Sequence, residues 1–245
     1  MTRPPILLLH GAFSRGAHLV HWARFLRAEG YEVYTPSLPG HDPSDPEILR
    51  RLTLNDYLQF LLDQHAALAE PPVVIGHSMG GLLAQMLAAK ARCRAIVCVA
   101  SAHPGPLRPR LRSIPYLIPM LPALIQETPL HLPPSTFRAL ALNDIPADQQ
   151  ELLSNDFGDE SALAFRALLL GRAGFDPSAV TSPVLCLSGG RDRIIAPRLA
   201  RRTARLYQAT HQHFPNRGHW LLGPDSLDEV VGALLAWLEP ILDHD

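Results

Sequence analysis

A serine that could act as a nucleophile lies where an apolar run meets a helical segment. Residues 76–80 read Gly-His-Ser-Met-Gly, after the apolar run 72–76 and before the amphipathic segment 79–91. This Gly-x-Ser-x-Gly pattern in that context predicts a nucleophile elbow, a strained strand-to-helix turn whose neighbouring residues must be small. Ser78 would then lie at a helix N-terminus, where free backbone amides favour negative charge. The alternative is a glycine-rich turn with an ordinary serine, so the hypothesis depends on a suitable base.

The base should be a histidine, because a serine hydroxyl becomes an effective nucleophile when a neighbouring group takes its proton. Twelve histidines compete for that role. Folds with such an elbow place the serine first in the chain, the acid second and the histidine last. His219 follows the last predicted strand, 210–214, and precedes the final predicted helix, whereas His211 and His213 lie on the strand itself. We therefore predict that His219 is the general base.

The third member should be an acid that holds the imidazole in one tautomer and stabilises it once protonated. Asp192 follows the predicted strand 183–188 and two glycines, at the edge where ligand sites of open α/β sheets form. Asp176 precedes that strand and Asp225 follows His219, so both are out of order. Arginines flank Asp192, and a surface ion pair is the alternative interpretation. The order and positions favour Asp192 as the acid.

Two backbone amides should hold the oxyanion that forms during acyl transfer. The amide of Met79, directly after the predicted nucleophile, is one expected donor. The other should come from the loop after the first predicted strand, where Ala12 is the first choice and Phe13 the second. His10 in the same loop is expected to brace the loop by hydrogen bonding rather than to take part in chemistry.

The elements that must position these residues alternate between short apolar runs and longer amphipathic segments, as in a parallel sheet covered by helices. Predicted strands are 5–9, 31–35, 72–76, 94–99, 183–188 and 210–214, the last being polar enough for a sheet edge. Predicted helices are 18–29, 53–69, 79–91, 146–154, 159–170, 196–207 and 226–238. The segment 103–182 lacks a convincing strand, and 111–142 contains six prolines. We expect one α/β domain over residues 1–245, with a mainly parallel sheet of about six strands and a helical cap at about 103–180.

Composition limits the classes of function. The 245 residues are 47% apolar and 18% charged, with a formal net charge of −1, which gives no long-range attraction to nucleic acid or an anionic membrane. No apolar stretch approaches the roughly 20 residues that span a bilayer. Three cysteines without metal-ligand spacing favour a reducing compartment and no disulfide framework. We expect a soluble cytoplasmic protein without metal or organic cofactor; the oligomeric state stays open.

Together these motifs resemble the α/β-hydrolase superfamily over nearly the whole chain apart from the segment 103–182. The resemblance rests on His10-Gly11, Leu38-Pro39-Gly40-His41, the run 76–81, Gly190-Arg191-Asp192 and Gly218-His219. A chain that starts directly at the His-Gly strand is similar to the compact branch of plant methylesterases, hydroxynitrile lyases and bacterial carboxylesterases. The resemblance implies an α/β-hydrolase fold and a Ser-Asp-His triad. It implies no role for the Leu-Pro-Gly-His turn.

Several residues of this chain differ from those of related families, and these differences exclude some reactions. Dehalogenases and epoxide hydrolases of this superfamily carry Asp at the nucleophile position, and dienelactone-type hydrolases carry Cys, where this chain has Ser78. Hydroxynitrile lyases carry Thr after the first His and a Lys beside the base. In this chain Gly11 follows the first His. The single lysine, Lys90, lies on the predicted helix after the elbow and not beside His219. Lyase activity is therefore not expected.

The expected substrate follows from the apolar character of 103–182. We expect Phe13, Leu117, Leu121 and Trp220 to contact substrate, and the reaction to be hydrolysis of a small to medium, uncharged hydrophobic carboxylic ester. A thioesterase, a lactone, amide or C–C bond hydrolase with the same triad, and a non-enzymatic ligand receptor on this fold stay open, because the triad does not encode the leaving group. The expected partner is thus a small molecule, not a nucleic acid or a membrane.

Overall fold

A single six-stranded sheet forms the centre of the chain. The computed structural model describes residues 3–41, 46–107 and 113–243. The strands are β1 Ile6–Leu9, β2 Val33–Tyr34, β3 Val73–His77, β4 Ala95–Val99, β5 Val184–Gly189 and β6 Thr210–Phe214. Their order is β2-β1-β3-β4-β5-β6, and every neighbouring pair is parallel. The predicted six-stranded parallel sheet is confirmed, with β6 at an edge as expected.

The inner strands are continuously apolar because both faces of the sheet are covered. Alternate side chains point to opposite faces, so Ile75 and Val97 pack in one core whereas Val74 and Ile96 pack in the other. All residues of β3 and β4 are buried, while β6 is mostly exposed or half-buried. This burial explains why the apolar runs located the inner strands.

Ten α-helices surround the sheet in the described part of the chain. They are α1 Val20–Ala28, α2 Leu54–Ala66, α3 Met79–Ala88, α4 Ile114–Leu117, α5 Leu121–Gln126, α6 Pro134–Leu140, α7 Ala147–Asp156, α8 Ala162–Leu170, α9 Pro197–Leu206 and α10 Leu227–Asp243. Five of them, α4 to α8, lie between β4 and β5. The helical character expected for this insertion is therefore present, although its role as a cap stays a prediction.

The proline-rich part of the insertion is helical because its prolines stand at helix starts. Pro115 and Pro122 are the second residues of α4 and α5, within the first turn, where the missing N–H has no intrahelical partner in any case. The insertion also closes on itself, since the Leu107 amide donates to the Leu169 carbonyl at 3.1 Å. The chain thus leaves the sheet and returns at nearly the same point.

The start of α8 differs from its predicted boundary. The helix begins at Ala162 rather than at 159, and the hydroxyl of Ser161 accepts the Ala164 amide as an N-terminal cap. Glu160 therefore lies before the helix, and its side chain turns into the interior, where it is fully buried.

No helix in the described ranges 3–41, 46–107 and 113–243 is long and apolar enough to cross a bilayer. The same residues contain no cluster of three or more His, Cys, Asp or Glu that could hold a metal ion.

Candidate active site

Ser78 occupies a strained turn between β3 and α3. Its φ of 54° and ψ of −116° lie in a region that costs a non-glycine residue about 1–3 kcal/mol. The turn is held because the Ser78 amide donates to Val99 and its carbonyl accepts from Ala102, both at 3.0 Å. A Cβ at Gly76 would lie 2.1 Å from the Gly80 carbonyl oxygen. The small residues of the motif are therefore required by the close approach of strand and helix.

His219 and Asp192 are in direct contact. The Nδ1 atom of His219 lies 2.8 Å from Oδ2 of Asp192, and both side chains are buried. The other carboxylate oxygen, Oδ1, accepts the amides of Ile194 and Ile195 at 2.7 and 2.8 Å. Because Nδ1 faces a carboxylate, it carries the proton, and Nε2 is left as the acceptor. This is the tautomer that a general base needs.

The loops after β5 and β6 are bound together, which brings these two side chains into contact across 27 positions of sequence. The Arg191 amide donates to the Arg217 carbonyl at 2.8 Å. A Cβ at Gly189 would lie 2.0 Å from the Gly218 carbonyl oxygen. Only glycine permits this approach, so the glycines before Asp192 and His219 set the spacing of the pair.

Two further residues hold the backbone around His219. Nε2 of His77 donates to the His219 carbonyl at 3.0 Å, while its buried Nδ1 has no hydrogen-bond partner among the residues that the structure describes. Burial, together with the neighbouring His219, lowers the pKa of His77 to about 3, so its ring is neutral. Oδ2 of Asp144 accepts the Gly218 amide at 2.5 Å, and burial raises the pKa of that carboxyl. Neither role was predicted, because the sequence gives no sign of which backbone these side chains reach.

The other candidate histidines are engaged elsewhere. His211 and His213 both bond to the hydroxyl of Ser188, at 2.9 and 3.1 Å, on the edge of the sheet. His10 accepts the Leu38 amide through Nε2 at 2.9 Å, which is the expected brace between the loops after β1 and β2. Burial and neighbouring histidines hold the pKa of His10 well below its usual range.

The predicted oxyanion donors lie beside Ser78. Met79 is the first residue of α3, and Ala12 lines the same cavity as Ser78 and His219. The amide of Phe13, the second choice, donates instead to Oε2 of Glu160 at 3.3 Å. Of the two loop amides considered, that of Ala12 therefore stays the predicted donor.

A cavity of about 120 Å³ opens above Ser78, and its walls are mainly apolar. The insertion supplies much of this wall, including aromatic side chains from α6 and α8. Arg193 is the one Arg, Lys, Asp or Glu among the described lining residues, and its guanidinium donates to the Ala139 carbonyl at 2.7 Å. The cavity therefore suits a largely apolar ligand of modest size.

Three of the four predicted substrate contacts line this cavity: Phe13, Leu117 and Trp220. Leu121 does not; its side chain is 49% exposed, and the prediction for this residue does not fit its placement. Leu117 and Met120 share the face of the α4–α5 region that meets the cavity, and one step of helical rotation turns Leu121 to solvent.

Comparison with known proteins agrees with this fold. A model of the alpha/beta hydrolase family matches residues 6–233. A pyrethroid hydrolase from Sphingobium wenxiniae is 36% identical over 88 residues, which is 36% of this chain and 31% of that protein. The chain therefore spans less than a third of that relative's length. An sn-1-specific diacylglycerol lipase of Mus musculus is 27% identical over 96% of this chain and 82% of its own.

Solved structures share the fold. A methylesterase from Arabidopsis superposes with a TM-score of 0.75 over 99% of this chain and 100% of its own, at 14% sequence identity. A pyrethroid hydrolase from Sphingobium faniae and an extracellular alpha/beta-hydrolase from a Paenibacillus species are also among the similar structures. The expected likeness to plant methylesterases and bacterial esterases is thus confirmed at the level of fold.

Proposed function

The chain belongs to the alpha/beta hydrolase family, and from this premise we propose that it is a serine hydrolase that cleaves carboxylic esters through an acyl-enzyme intermediate. The observation that carries the proposal is the 2.8 Å contact between Nδ1 of His219 and Asp192, together with the cavity that His219 and Ser78 both line. A relative named as a pyrethroid hydrolase and a neighbour named as a methylesterase support ester cleavage.

In the first half of the proposed reaction, Ser78 Oγ attacks the ester carbonyl while Nε2 of His219 takes the hydroxyl proton. The amides of Met79 and Ala12 hold the oxyanion of the tetrahedral intermediate. When the intermediate collapses, the C–O bond to the alcohol breaks and His219 returns the proton to the leaving oxygen. Asp192 stabilises the imidazolium that forms in between.

In the second half, a water molecule gives its proton to His219 and attacks the acyl carbon. When the second tetrahedral intermediate collapses, the bond from the acyl carbon to Ser78 Oγ breaks and His219 returns its proton to Oγ. The carboxylic acid is released and the Ser78 hydroxyl is restored. The apolar walls favour an uncharged, hydrophobic acyl group, since each buried methylene contributes about 0.8 kcal/mol until the cavity is full.

Covalent labelling tests this proposal. A fluorophosphonate probe should modify the chain once, and mass spectrometry should find the adduct on Ser78. Ser78→Ala should abolish both labelling and hydrolysis of p-nitrophenyl butyrate. Ser113 lines the same cavity but donates to the Arg193 carbonyl at 2.8 Å, so Ser113→Ala is the matched control and should label normally. An adduct on another residue, or an active Ser78→Ala variant, would refute the proposed function.

A further inference from the structure

A fully buried carboxylate, that of Glu160, has no part in the reaction as described. Its four hydrogen bonds divide between its two oxygens. Oε1 accepts the Tyr57 hydroxyl and the Ser161 amide, both at 2.8 Å. Oε2 accepts from Nε2 of His41 at 3.0 Å and from the Phe13 amide at 3.3 Å. Every donor comes from a different element, so this one side chain connects the insertion to three parts of the sheet domain.

His41 balances the charge of Glu160. Its Nε2 faces Oε2 of Glu160, and its Nδ1 lies 3.2 Å from the Pro39 carbonyl oxygen, so both nitrogens face acceptors. Burial opposes the charge on His41, but the carboxylate and the carbonyl outweigh it and raise the pKa. Since both ring nitrogens of His41 face oxygen acceptors, the geometry fits an imidazolium that donates to the carboxylate of Glu160. The Leu-Pro-Gly-His turn, to which the sequence analysis assigned no role, therefore supplies the histidine that pairs with Glu160.

The insertion holds both backbone polar groups of Phe13. Glu160 accepts its amide, and the Gly158 amide donates to its carbonyl at 2.9 Å. Phe13 has a φ of 63°, the left-handed region that is unfavourable for a residue with a bulky side chain. Its ring packs edge-on against Phe137 and Phe165, also from the insertion, at 5.6 and 5.4 Å. The contacts with the insertion therefore stabilise a peptide conformation that the loop alone would not prefer.

We propose that Glu160 is a positioning residue for the oxyanion hole, an inference that rests on the proposed function. Its carboxylate takes the Phe13 amide and keeps that residue in its left-handed turn, which leaves the preceding amide, that of Ala12, facing the cavity with Ser78. Glu160 touches no substrate. It acts through the loop, and the insertion thereby sets the geometry in which the oxyanion is stabilised as well as the wall of the cavity.

The bonding pattern explains why glutamine cannot replace this residue. Each oxygen of Glu160 accepts one backbone amide, from Ser161 or from Phe13. A glutamine has one oxygen and one NH2 group, so either orientation points a donor at a buried backbone donor. If the NH2 group faces Phe13, the loop loses its anchor; if it faces Ser161, the start of α8 is disturbed.

The test is steady-state kinetics of Glu160→Gln on p-nitrophenyl acetate, with the active fraction counted by fluorophosphonate labelling of Ser78. We expect kcat per labelled site to fall about 10- to 100-fold, less than the ~10²–10³ for complete loss of an oxyanion donor, with KM within about threefold. Asp159→Asn is the matched control. Asp159 is the adjacent acid and pairs with His131 at 2.8 Å, so its loss should leave both constants unchanged. An unchanged kcat per labelled site in Glu160→Gln would overturn the inference.

A second pair of variants covers the case in which Glu160→Gln does not fold. Glu160→Asp keeps the charge beside His41 but shortens the side chain by one methylene, and it should lower kcat in the same way. Phe13→Gly removes the conformational penalty at φ 63°. The Glu160→Asp change should therefore lower kcat less in the Phe13→Gly background than in the native one. An equal loss in both backgrounds would show that Glu160 acts elsewhere.

The two proposals fail differently. If the native chain does not label at Ser78, the proposed function and this inference are both wrong. If all variants label at Ser78 and keep the native kcat, the proposed function stands and only the positioning role of Glu160 is wrong.

Discussion

Replacing Asp192 by asparagine should reverse the tautomer of His219, because the surrounding backbone fixes which way the new amide faces. Oδ1 of Asp192 accepts two amides, from Ile194 and Ile195, whereas Oδ2 meets Nδ1 of His219. The carbonyl oxygen of an asparagine would stay with the two amides, and its NH2 group would then face the imidazole. His219 would move its proton to Nε2, the atom that must accept the proton of Ser78.

The magnitude follows from the cost of the opposite orientation. That orientation would leave two buried backbone donors without an acceptor, at about 1–3 kcal/mol each, or about 2–6 kcal/mol together. Since about 1.4 kcal/mol is a factor of ten, the competent tautomer should be populated roughly 30-fold to 10⁴-fold less. Loss of the carboxylate beside the imidazolium adds to this. We expect kcat to fall about 10³- to 10⁴-fold, in the range that the corresponding change causes in serine proteases.

The assay is hydrolysis of p-nitrophenyl butyrate, with a thermal unfolding curve for each variant. Asp192→Asn should keep nearly the native Tm, because both backbone bonds survive. Asp176→Asn is the control, since Asp176 is an exposed acid before β5 whose carboxylate accepts the amide and the hydroxyl of the nearby Ser178. The reasoning is wrong if Asp192→Asn retains kcat within tenfold, or if Asp176→Asn loses as much.

Further expectations concern the cavity wall, the elbow and the neutral histidine under the site. Leu117→Ser should change the dependence of kcat/KM on acyl length from acetate to octanoate esters, whereas Leu121→Ser, whose side chain lies outside the cavity, should leave it unchanged. Gly76→Ala should lower the free energy of unfolding in urea by about 1–3 kcal/mol or more, because its Cβ would lie 2.1 Å from a backbone oxygen. Gly232→Ala, which has open space in α10, should raise that free energy by about 0.5–1 kcal/mol. The folded-state pKa of His77 is lowered to about 3, so the unfolded chain takes up the proton at a higher pH than the folded chain. The free energy of unfolding of the native chain, relative to that of His77→Gln, should therefore be constant above the unfolded pKa of about 6.5 and should decline as the pH falls toward 3. A difference that stays constant over this range would contradict the expectation.

Much of the fold could be predicted because strands that are buried on both faces are apolar in sequence. Runs such as 73–75 and 95–99 are apolar throughout, since both faces of the sheet are covered. The order along the chain then singled out Ser78, Asp192 and His219 among many candidates, and the structure brings the last two into contact at 2.8 Å. Local pattern and chain order were enough to place these three residues at one edge of the sheet, because each of them follows a strand there.

What could not be predicted depends on which way a side chain turns. The predicted helix 159–170 would include Glu160, whereas α8 starts at Ala162 and Glu160 lies before it, fully buried. Leu117 and Leu121 are the same residue type in similar sequence surroundings, yet Leu117 lines the cavity and Leu121 faces solvent. The partner of His77 is a carbonyl 142 positions away. Such long-range contacts leave no periodic signal.

The two ends of the insertion meet at the hydrogen bond between Leu107 and Leu169, which affects how the segment between them can be exchanged. Because Leu107 and Leu169 are hydrogen-bonded, a segment of quite different length could be exchanged between them while the sheet keeps its register. Such a graft would also delete Gly158 and Glu160, the two residues that hold Phe13. A chimera would thus acquire a new pocket and lose turnover together, unless the incoming segment brings its own carboxylate and amide to that loop. On the proposed role of Glu160, a change in this segment would alter substrate range and catalytic rate together.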